Sequence, residues 1–142
     1  MGIDLMLEAL PVFKAGKWLP SIIPMACTLG EGYLLAGEYK QARITLEEGI
    51  ETFDKCGTRF YLGWAHRLLG ALFSKTDIDL AAEHFEKSID ILKEIEAESE
   101  LAHAYLSYGH YHLDQKQPLQ AESCLTKALT IFERIKTLNQ SE

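Results

Sequence analysis

Leu29-Gly30-Glu31-Gly32-Tyr33 and Leu69-Gly70-Ala71-Leu72-Phe73 are the two stretches that decide the fold of this chain. Each places a large apolar residue and a glycine just ahead of an aromatic residue. Gly70 lies 40 residues after Gly30, and Gly109 follows 39 residues later. A similar spacing separates three alanines: Ala42, Ala81 and Ala121. Self-similarity at a fixed period indicates an array of repeated structural units.

Helix packing explains why small residues recur at these places. Two antiparallel helices approach closely only where their side chains are small, and bulky side chains one turn away then fill the grooves. A glycine inside a helix costs about 0.5–1 kcal/mol relative to alanine, so its recurrence indicates a packing requirement. Apolar residues from Ile78 to Ile95 also follow the stripe of a half-buried helix. The sequence therefore predicts an all-α solenoid of antiparallel helical hairpins.

These residues resemble the tetratricopeptide repeat family, whose pattern includes Leu-Gly, a following aromatic residue and a later alanine. Gly37-Glu38-Tyr39-Lys40-Gln41-Ala42 resembles the family's turn into the second helix of a unit. The resemblance covers residues 21 to 137 and implies a superhelix of hairpins. The family period is about 34 residues. The longer period here predicts longer second helices, as in the repeats that follow nucleotide-binding and cyclase modules in large bacterial signalling proteins.

The repeat register divides the chain into a single domain of about seven helices. Its parts are a half repeat at 1–19, repeat 1 at 20–57, repeat 2 at 58–97, repeat 3 at 98–138 and a tail at 139–142. The half repeat corresponds to a second helix without its first helix. Uncapped terminal helices expose apolar surface, so a homodimer through them is an open alternative.

Composition and charge narrow the classes of partner. Fourteen Lys and Arg stand against twenty-one Asp and Glu, and the net charge of -7 argues against nucleic acid or an acidic membrane surface as the main partner. No apolar run approaches the roughly 20 residues that span a bilayer. The first ten residues contain Asp4 and Glu8 and lack the basic start of a signal peptide.

The three cysteines indicate a reducing compartment. They are Cys27, Cys56 and Cys124, an odd number with wide spacing and no CxxC pair. A cytoplasmic setting is therefore expected. Cys56 occupies the register of Ile95 and Ile135, which predicts a buried apolar role for it rather than a nucleophilic one.

The family resemblance implies that the first helices of the units line a groove that binds peptides. The residues expected to face this groove are Cys27, Glu31, Leu34, Trp64, Arg67, Lys75, His103, Leu106, His110 and Asp114. Of these, Glu31, Trp64, Arg67, Lys75, His103 and His110 are the candidate peptide contacts. Trp64 beside Arg67 is a plausible anchor, because these residue types dominate interface hot spots. An alternative is that Trp64 packs on Tyr61 and Arg67 is solvated.

The leading hypothesis is a scaffold that binds a protein or peptide, within a larger signalling protein and without catalysis, cofactor or metal. No phosphate-binding glycine loop, nucleophile elbow or HExxH motif is present. Two alternatives stay open: self-association that joins copies of an attached catalytic module, and an enzyme or small-ligand protein that uses the face of His103 and His110, which bound zinc or a deep enclosed pocket would favour. The run Glu94, Glu96, Glu98 and Glu100 is interpreted as a solvated helix junction.

Overall fold

The computed structural model describes residues 19–140. Within that range the chain forms six α-helices and no strand. They are α1 (Leu19–Leu35), α2 (Tyr39–Cys56), α3 (Arg59–Phe73), α4 (Ile78–Glu94), α5 (Glu98–Asp114) and α6 (Pro118–Gln140). The all-α prediction is confirmed. The seventh helix, expected within residues 1–19, lies almost entirely outside the described residues.

The helices pair as three successive hairpins, α1 with α2, α3 with α4, and α5 with α6. The first helices α1, α3 and α5 also contact one another in order. Each of α2 and α4 contacts the first helix of the next hairpin. Neighbouring hairpins therefore stack in chain order, which is the predicted solenoid arrangement. No helix in the described range is both long enough and apolar enough to cross a membrane.

The repeated glycines make the close helix contact that their spacing predicted. In each hairpin the glycine of the first helix faces a large side chain of the second: Gly30 faces Leu46, Gly70 faces Phe85, and Gly109 faces Leu125. A Cβ atom at Gly70 would lie 2.7 Å from Phe85 Cδ1, closer than van der Waals contact allows. Ala42, Ala81 and Ala121 are also buried. Small side chains thus set the distance between the paired helices.

Left-handed backbone ends the helices where the chain turns. Gly37 and Gly57 have φ of 78° and 69°, which glycine adopts without steric cost. In the corresponding turns of later units, Lys116 and Glu96 adopt φ of 58° and 56°. The sequence shows no strong breaker near Glu96, yet the helix ends there in the same kind of cap as at Gly57: the Ala97 N–H donates to the Leu92 carbonyl, as the Thr58 N–H donates to the Phe53 carbonyl.

In the second and third hairpins, an ion pair joins the start of the first helix to the second helix near its end. The acidic and basic residues exchange places between the two hairpins. Arg59 at the start of α3 pairs with Glu94 at the end of α4, with 2.7 Å between Arg59 Nη2 and Glu94 Oε2. In the next hairpin, Glu98 at the start of α5 pairs with Arg134 of α6. Both pairs join the open ends of a hairpin. The Glu94 and Glu98 side chains remain 67% and 42% exposed, so these two residues lie at a solvated helix junction, as the sequence was interpreted.

The buried role predicted for Cys56 is wrong. Its side chain is exposed at the last residue of α2. Ile95 in the same register is exposed as well. The position lies where the chain leaves the hairpin, so no neighbouring helix covers it.

Candidate functional site

A cleft of about 280 Å³ opens where the C-terminal ends of the first helices converge. We call it the first-helix cleft. It is lined by Leu34, Tyr39, Ala71, Ser74, Lys75, Phe85, Ser107, His110, Tyr111 and Asp114. The three first helices contribute, together with Tyr39 of α2, Phe85 of α4 and the turn after α3, so stacking of the hairpins creates it. Four of the residues expected in a groove line it: Leu34, Lys75, His110 and Asp114.

The floor of the first-helix cleft is apolar and fixed. Phe85 is buried, and its ring stacks on that of Tyr108 with 5.2 Å between centroids. The Tyr111 hydroxyl donates a hydrogen bond of 2.9 Å to the carbonyl oxygen of Ile78. Burial raises the pKa of Tyr111, so its ring stays neutral. A fixed apolar floor offers a place for an apolar side chain at little entropic cost.

The rim of the first-helix cleft carries polar side chains that are available to a ligand. Lys75, His110 and Asp114 are all exposed. Within the part of the chain that the structure describes, none of the three forms an ion pair. The rim therefore presents one full cation, one anion and an imidazole above an apolar floor.

Arg67 is engaged within the protein instead. Its Nε lies 2.8 Å from Glu100 Oε1, and only 15% and 13% of the two side chains are exposed. The pair joins α3 to α5 across the boundary between hairpins. At the same register one hairpin earlier, Cys27 Sγ lies 3.5 Å from the Tyr61 carbonyl oxygen, to which it donates. Arg67 thus lies at an inter-hairpin contact, where it is paired and mostly buried rather than solvated.

Trp64 belongs to an aromatic cluster. Its ring stacks on Tyr61 with 6.1 Å between centroids and an interplanar angle of 26°, and Phe60 contacts it edge-on at 6.4 Å. The indole Nε1 is buried and has no hydrogen-bond acceptor. This is the packing alternative raised for Trp64, and it places the ring away from the residues of the first-helix cleft.

Glu31 and His103 lie at other places on the first helices. Burial raises the pKa of the Cys27 thiol, Glu100 raises it further and Arg67 opposes the change, and the half-buried Glu31 makes only a smaller contribution in the raising direction. The ring of His103 meets Phe132 of α6 edge-on at 5.3 Å. Lys75 and His110 are therefore the two candidate peptide contacts that the fold brings into one cleft.

The arrangement gives little support to a zinc site on α5. His103 and His110 are seven residues apart, which is about 10 Å along a helix and too far for a shared ion. Among residues 25–139, no three side chains of the ligating types gather where they could hold a metal. His112, at the aromatic position of its repeat, is buried, and its Nδ1 lies 2.7 Å from Gln117 Oε1.

A pair of histidines lies elsewhere, between α3 and α4. The Nδ1 atoms of His66 and His84 are 2.9 Å apart, so one Nδ1–H donates to the other ring. Burial is the main cause that lowers the pKa of His66 to about 4, and the nearby His84 and Lys87 lower it further. Burial and Lys87 also lower the pKa of His84, opposed by Glu83 and Glu47. The pair is therefore neutral at pH 7 and serves packing.

Acidification is expected to destabilise the fold through this pair. The pKa of His66 is lower in the folded protein than the 6.5 of a free histidine, so the unfolded chain binds more protons between these values. Stability present above pH 6.5 is lost as the pH falls toward 4, and the free energy of unfolding should drop by about 2 kcal/mol between pH 7 and pH 5. Urea unfolding at both pH values measures this drop.

Two variants isolate the contribution of the histidine pair from that of other groups. His66→Phe with His84→Phe should lose most of the pH dependence, because no imidazole remains to be protonated. His110→Gln, which changes an exposed histidine, should keep it. Equal pH dependence in both variants would show that the pair does not cause it.

A family model described as tetratricopeptide repeat matches residues 21–94, and a second model of the same description matches residues 102–134. The chain belongs to the tetratricopeptide repeat family. No curated protein matches it. Tetratricopeptide repeats generally mediate protein–protein interaction.

The cleft of this tetratricopeptide repeat domain also contains residues that the sequence did not single out. Tyr39, Ser74, Ser107 and Tyr111 line it without having been expected to. Ser107 and Tyr111 lie two residues before and two after Gly109, so the repeat register held a signal for them. Tyr111 is a mostly buried residue that still lines the cleft.

Proposed function

We propose that this domain binds an extended segment of a partner protein in the first-helix cleft. The segment places one large apolar side chain on the floor and a carboxylate beside Lys75. The observation that carries the proposal is the unpaired rim of Lys75, His110 and Asp114 above an apolar floor. No group in this arrangement needs to break an internal ion pair in order to meet a ligand.

The size of the cleft indicates how much of a peptide it can accept. Pockets that enclose small molecules run from about 300 to 1,000 Å³. At about 280 Å³, the first-helix cleft suits a single anchoring side chain rather than a whole ligand. The rest of the segment would lie along the exposed ends of α3 and α5. Affinity in the micromolar range is expected from one anchor and one charge contact.

The charge preference follows from the rim and from the rest of the chain. The net charge of -7 repels acidic segments in general. Lys75 is a positive charge that can attract a carboxylate at the rim of the cleft. Asp114 at the same rim favours a donor group, such as a backbone N–H or a basic side chain, next to the carboxylate. A partner segment with an apolar residue between acidic and basic neighbours fits this pattern.

A display selection tests the proposal. Random decapeptides would be selected on the immobilised chain, and the affinity of a labelled winner would be measured by fluorescence anisotropy. Lys75→Glu and Ala71→Phe should each raise the dissociation constant about tenfold or more, or about 1.4 kcal/mol. The first reverses the rim charge and the second fills the floor.

Lys40→Glu is the matched control, because Lys40 is an exposed lysine that does not line the cleft. It should leave the affinity unchanged. Recovery of no peptide, or of peptides that bind the Lys75→Glu and wild-type chains equally, would refute the cleft as the binding site.

The wider setting in the proposal is a regulatory or interaction segment of a larger cytoplasmic signalling protein. The resemblance of the repeat spacing to that of such proteins supports it. All three cysteines are free thiols, which suits a reducing compartment.

Self-association is the second candidate function. It is favoured by large apolar side chains that are exposed on the last hairpin, Leu113 and Leu129 among them. Domains that pair through such a surface would bring together the modules attached to them.

A further inference from the structure

An apolar stripe with a charge at each end runs along α6. Glu122, Leu125, Leu129, Phe132 and Lys136 follow one another at intervals of three, four, three and four residues. This spacing places them on a single face of a helix. We call this set the α6 stripe. In the repeat register, Lys136 lies one residue beyond the equivalent of Cys56, the last residue of α2. The stripe can reach it because α6 continues to Gln140.

The corresponding surface is covered in the preceding hairpin. There, Phe85 and Ile89 of α4 hold the positions of Leu125 and Leu129, and Tyr108 and Tyr111 of α5 pack on Phe85. Ile89 is 8% exposed, whereas Leu129 is 57% exposed. Of the helices between residues 19 and 140, only α5 contacts α6. Leu125 and Phe132 contact α5 at Gly109 and His103, whereas the outer part of the α6 stripe, centred on Leu129, continues a packing surface that no other described helix covers.

The surface is shaped as a groove beside the stripe. A groove of about 340 Å³ is lined by Leu113, Pro118, Ala121, Glu122, Leu125, Thr126 and Leu129. Its lining is mostly apolar, with Glu122 as the single charged side chain. A helix is therefore a suitable occupant, as in the two hairpin boundaries within the chain.

The charges at the ends of the stripe indicate which helix fits. Glu122 and Lys136 lie seven residues before and seven after Leu129, and neither forms an ion pair within residues 25–139. A second copy of the stripe, laid antiparallel across Leu129, would bring Glu122 of each chain to Lys136 of the other. A parallel copy would place like charges together.

We propose that this face pairs two copies of the chain in an antiparallel dimer centred on Leu129. The inference rests on the self-association candidate and gives it a geometry. Glu122 and Lys136 are about 21 Å apart along α6, so the contact spans about four turns of helix. The two-fold arrangement is closed, because each copy uses the same surface and leaves no further site open.

Head-to-tail stacking of copies fits the surface less well. Stacking would place α1 of one copy on α6 of another, in the role that α3 and α5 have inside the chain. At the residue two beyond the repeated glycine, α3 and α5 supply Leu72 and Tyr111, whereas α1 supplies Gly32. A groove that large side chains fill elsewhere would stay partly empty. Such stacking would also continue without end.

Light scattering across a range of concentrations, on the full 142-residue chain, tests the dimer. The expected mass is twice the 16.0 kDa of one chain. Leu129→Glu should give the mass of a single chain at the same concentrations, because it places a carboxylate at the centre of the apolar contact. Leu119→Glu is the control: Leu119 is 78% exposed on the same helix but lies off the stripe, so the dimer should persist.

Mixing two charge variants distinguishes a contact between charges of the two copies from a general loss of structure in α6. Glu122→Lys and Lys136→Glu should each weaken self-pairing about tenfold through like-charge contacts. An equimolar mixture of the two should form the mixed dimer at least as well as wild type pairs with itself. Circular dichroism of each variant confirms that α6 is intact.

The outcomes separate the two levels of the inference. A dimer that survives Leu129→Glu would overturn the α6 pairing and leave self-association standing through another face. A single-chain mass at every concentration up to about 1 mM, a weak limit for association, would overturn both. Binding of peptides in the first-helix cleft is measured separately and does not depend on either result.

Discussion

Gly70→Val is expected to lower the free energy of unfolding by about 3 kcal/mol. A Cβ atom at Gly70 would lie 2.7–2.8 Å from three atoms of the Phe85 ring. Phe85 cannot retreat, because it is fully buried and Tyr108 stacks against it. Valine gains less than about 1 kcal/mol of helix propensity over glycine, so the steric cost is the larger effect. Urea unfolding followed by circular dichroism measures the change.

Two further variants make the interpretation specific. Ala71→Val changes the next residue on the same helix, where the side chain lines the open first-helix cleft, and should shift the free energy of unfolding by less than about 1 kcal/mol. Gly70→Ala should lower the free energy of unfolding less when it is combined with Phe85→Leu, because a leucine side chain can move aside. An unchanged stability in Gly70→Val would contradict the close helix contact as the reason for the repeated glycine.

Arg67→Met is expected to lower the free energy of unfolding by about 2–3 kcal/mol. The substitution leaves the Glu100 carboxylate mostly buried between α3 and α5 without its counter-ion, since only 13% of that side chain is exposed. Removal of one partner from a fully buried pair costs about 3–5 kcal/mol, and the residual exposure reduces this value. Thermal or urea unfolding at pH 7 provides the measurement.

The more exposed Arg59–Glu94 pair serves as the reference for the mostly buried Arg67–Glu100 pair. Arg67→Met combined with Glu100→Met should recover most of the stability, because an apolar contact replaces the ion pair. Arg59→Met removes the partner of Glu94 at a more exposed site and should cost less than about 1 kcal/mol. If Arg59→Met and Arg67→Met were equally mild, burial of the Arg67 pair would have no energetic consequence.

The hairpin architecture was predictable because its causes are local or strictly periodic. Gly30, Gly70 and Gly109 recur at nearly equal spacing, and each lies opposite a bulky residue of its own second helix. The partner of each glycine is therefore only 15 or 16 residues away, and the register identifies it. The ends of helices were less predictable: Glu96 adopts a left-handed conformation that its residue type does not indicate.

The candidate site was predictable only in part. The sequence placed Lys75 and His110 toward a first-helix groove, and both line the first-helix cleft. It could not separate Lys75 from Arg67, another cation of the same repeat that was placed toward the same groove. The partner of Arg67 is 33 residues distant in a run of glutamates that resembles a solvated junction.

The sequence by itself determined the family, the helical hairpins and their stacking order, because helix pairing depends on side-chain size at fixed intervals along the chain. Tertiary structure alone decided which polar side chains are engaged and which are free. Arg67 pairs with Glu100, Trp64 stacks on Tyr61, and Lys75 lies at the rim of the first-helix cleft. A charge pairs with whatever the stacking of hairpins brings within a few ångströms, and the repeat pattern does not encode that distance.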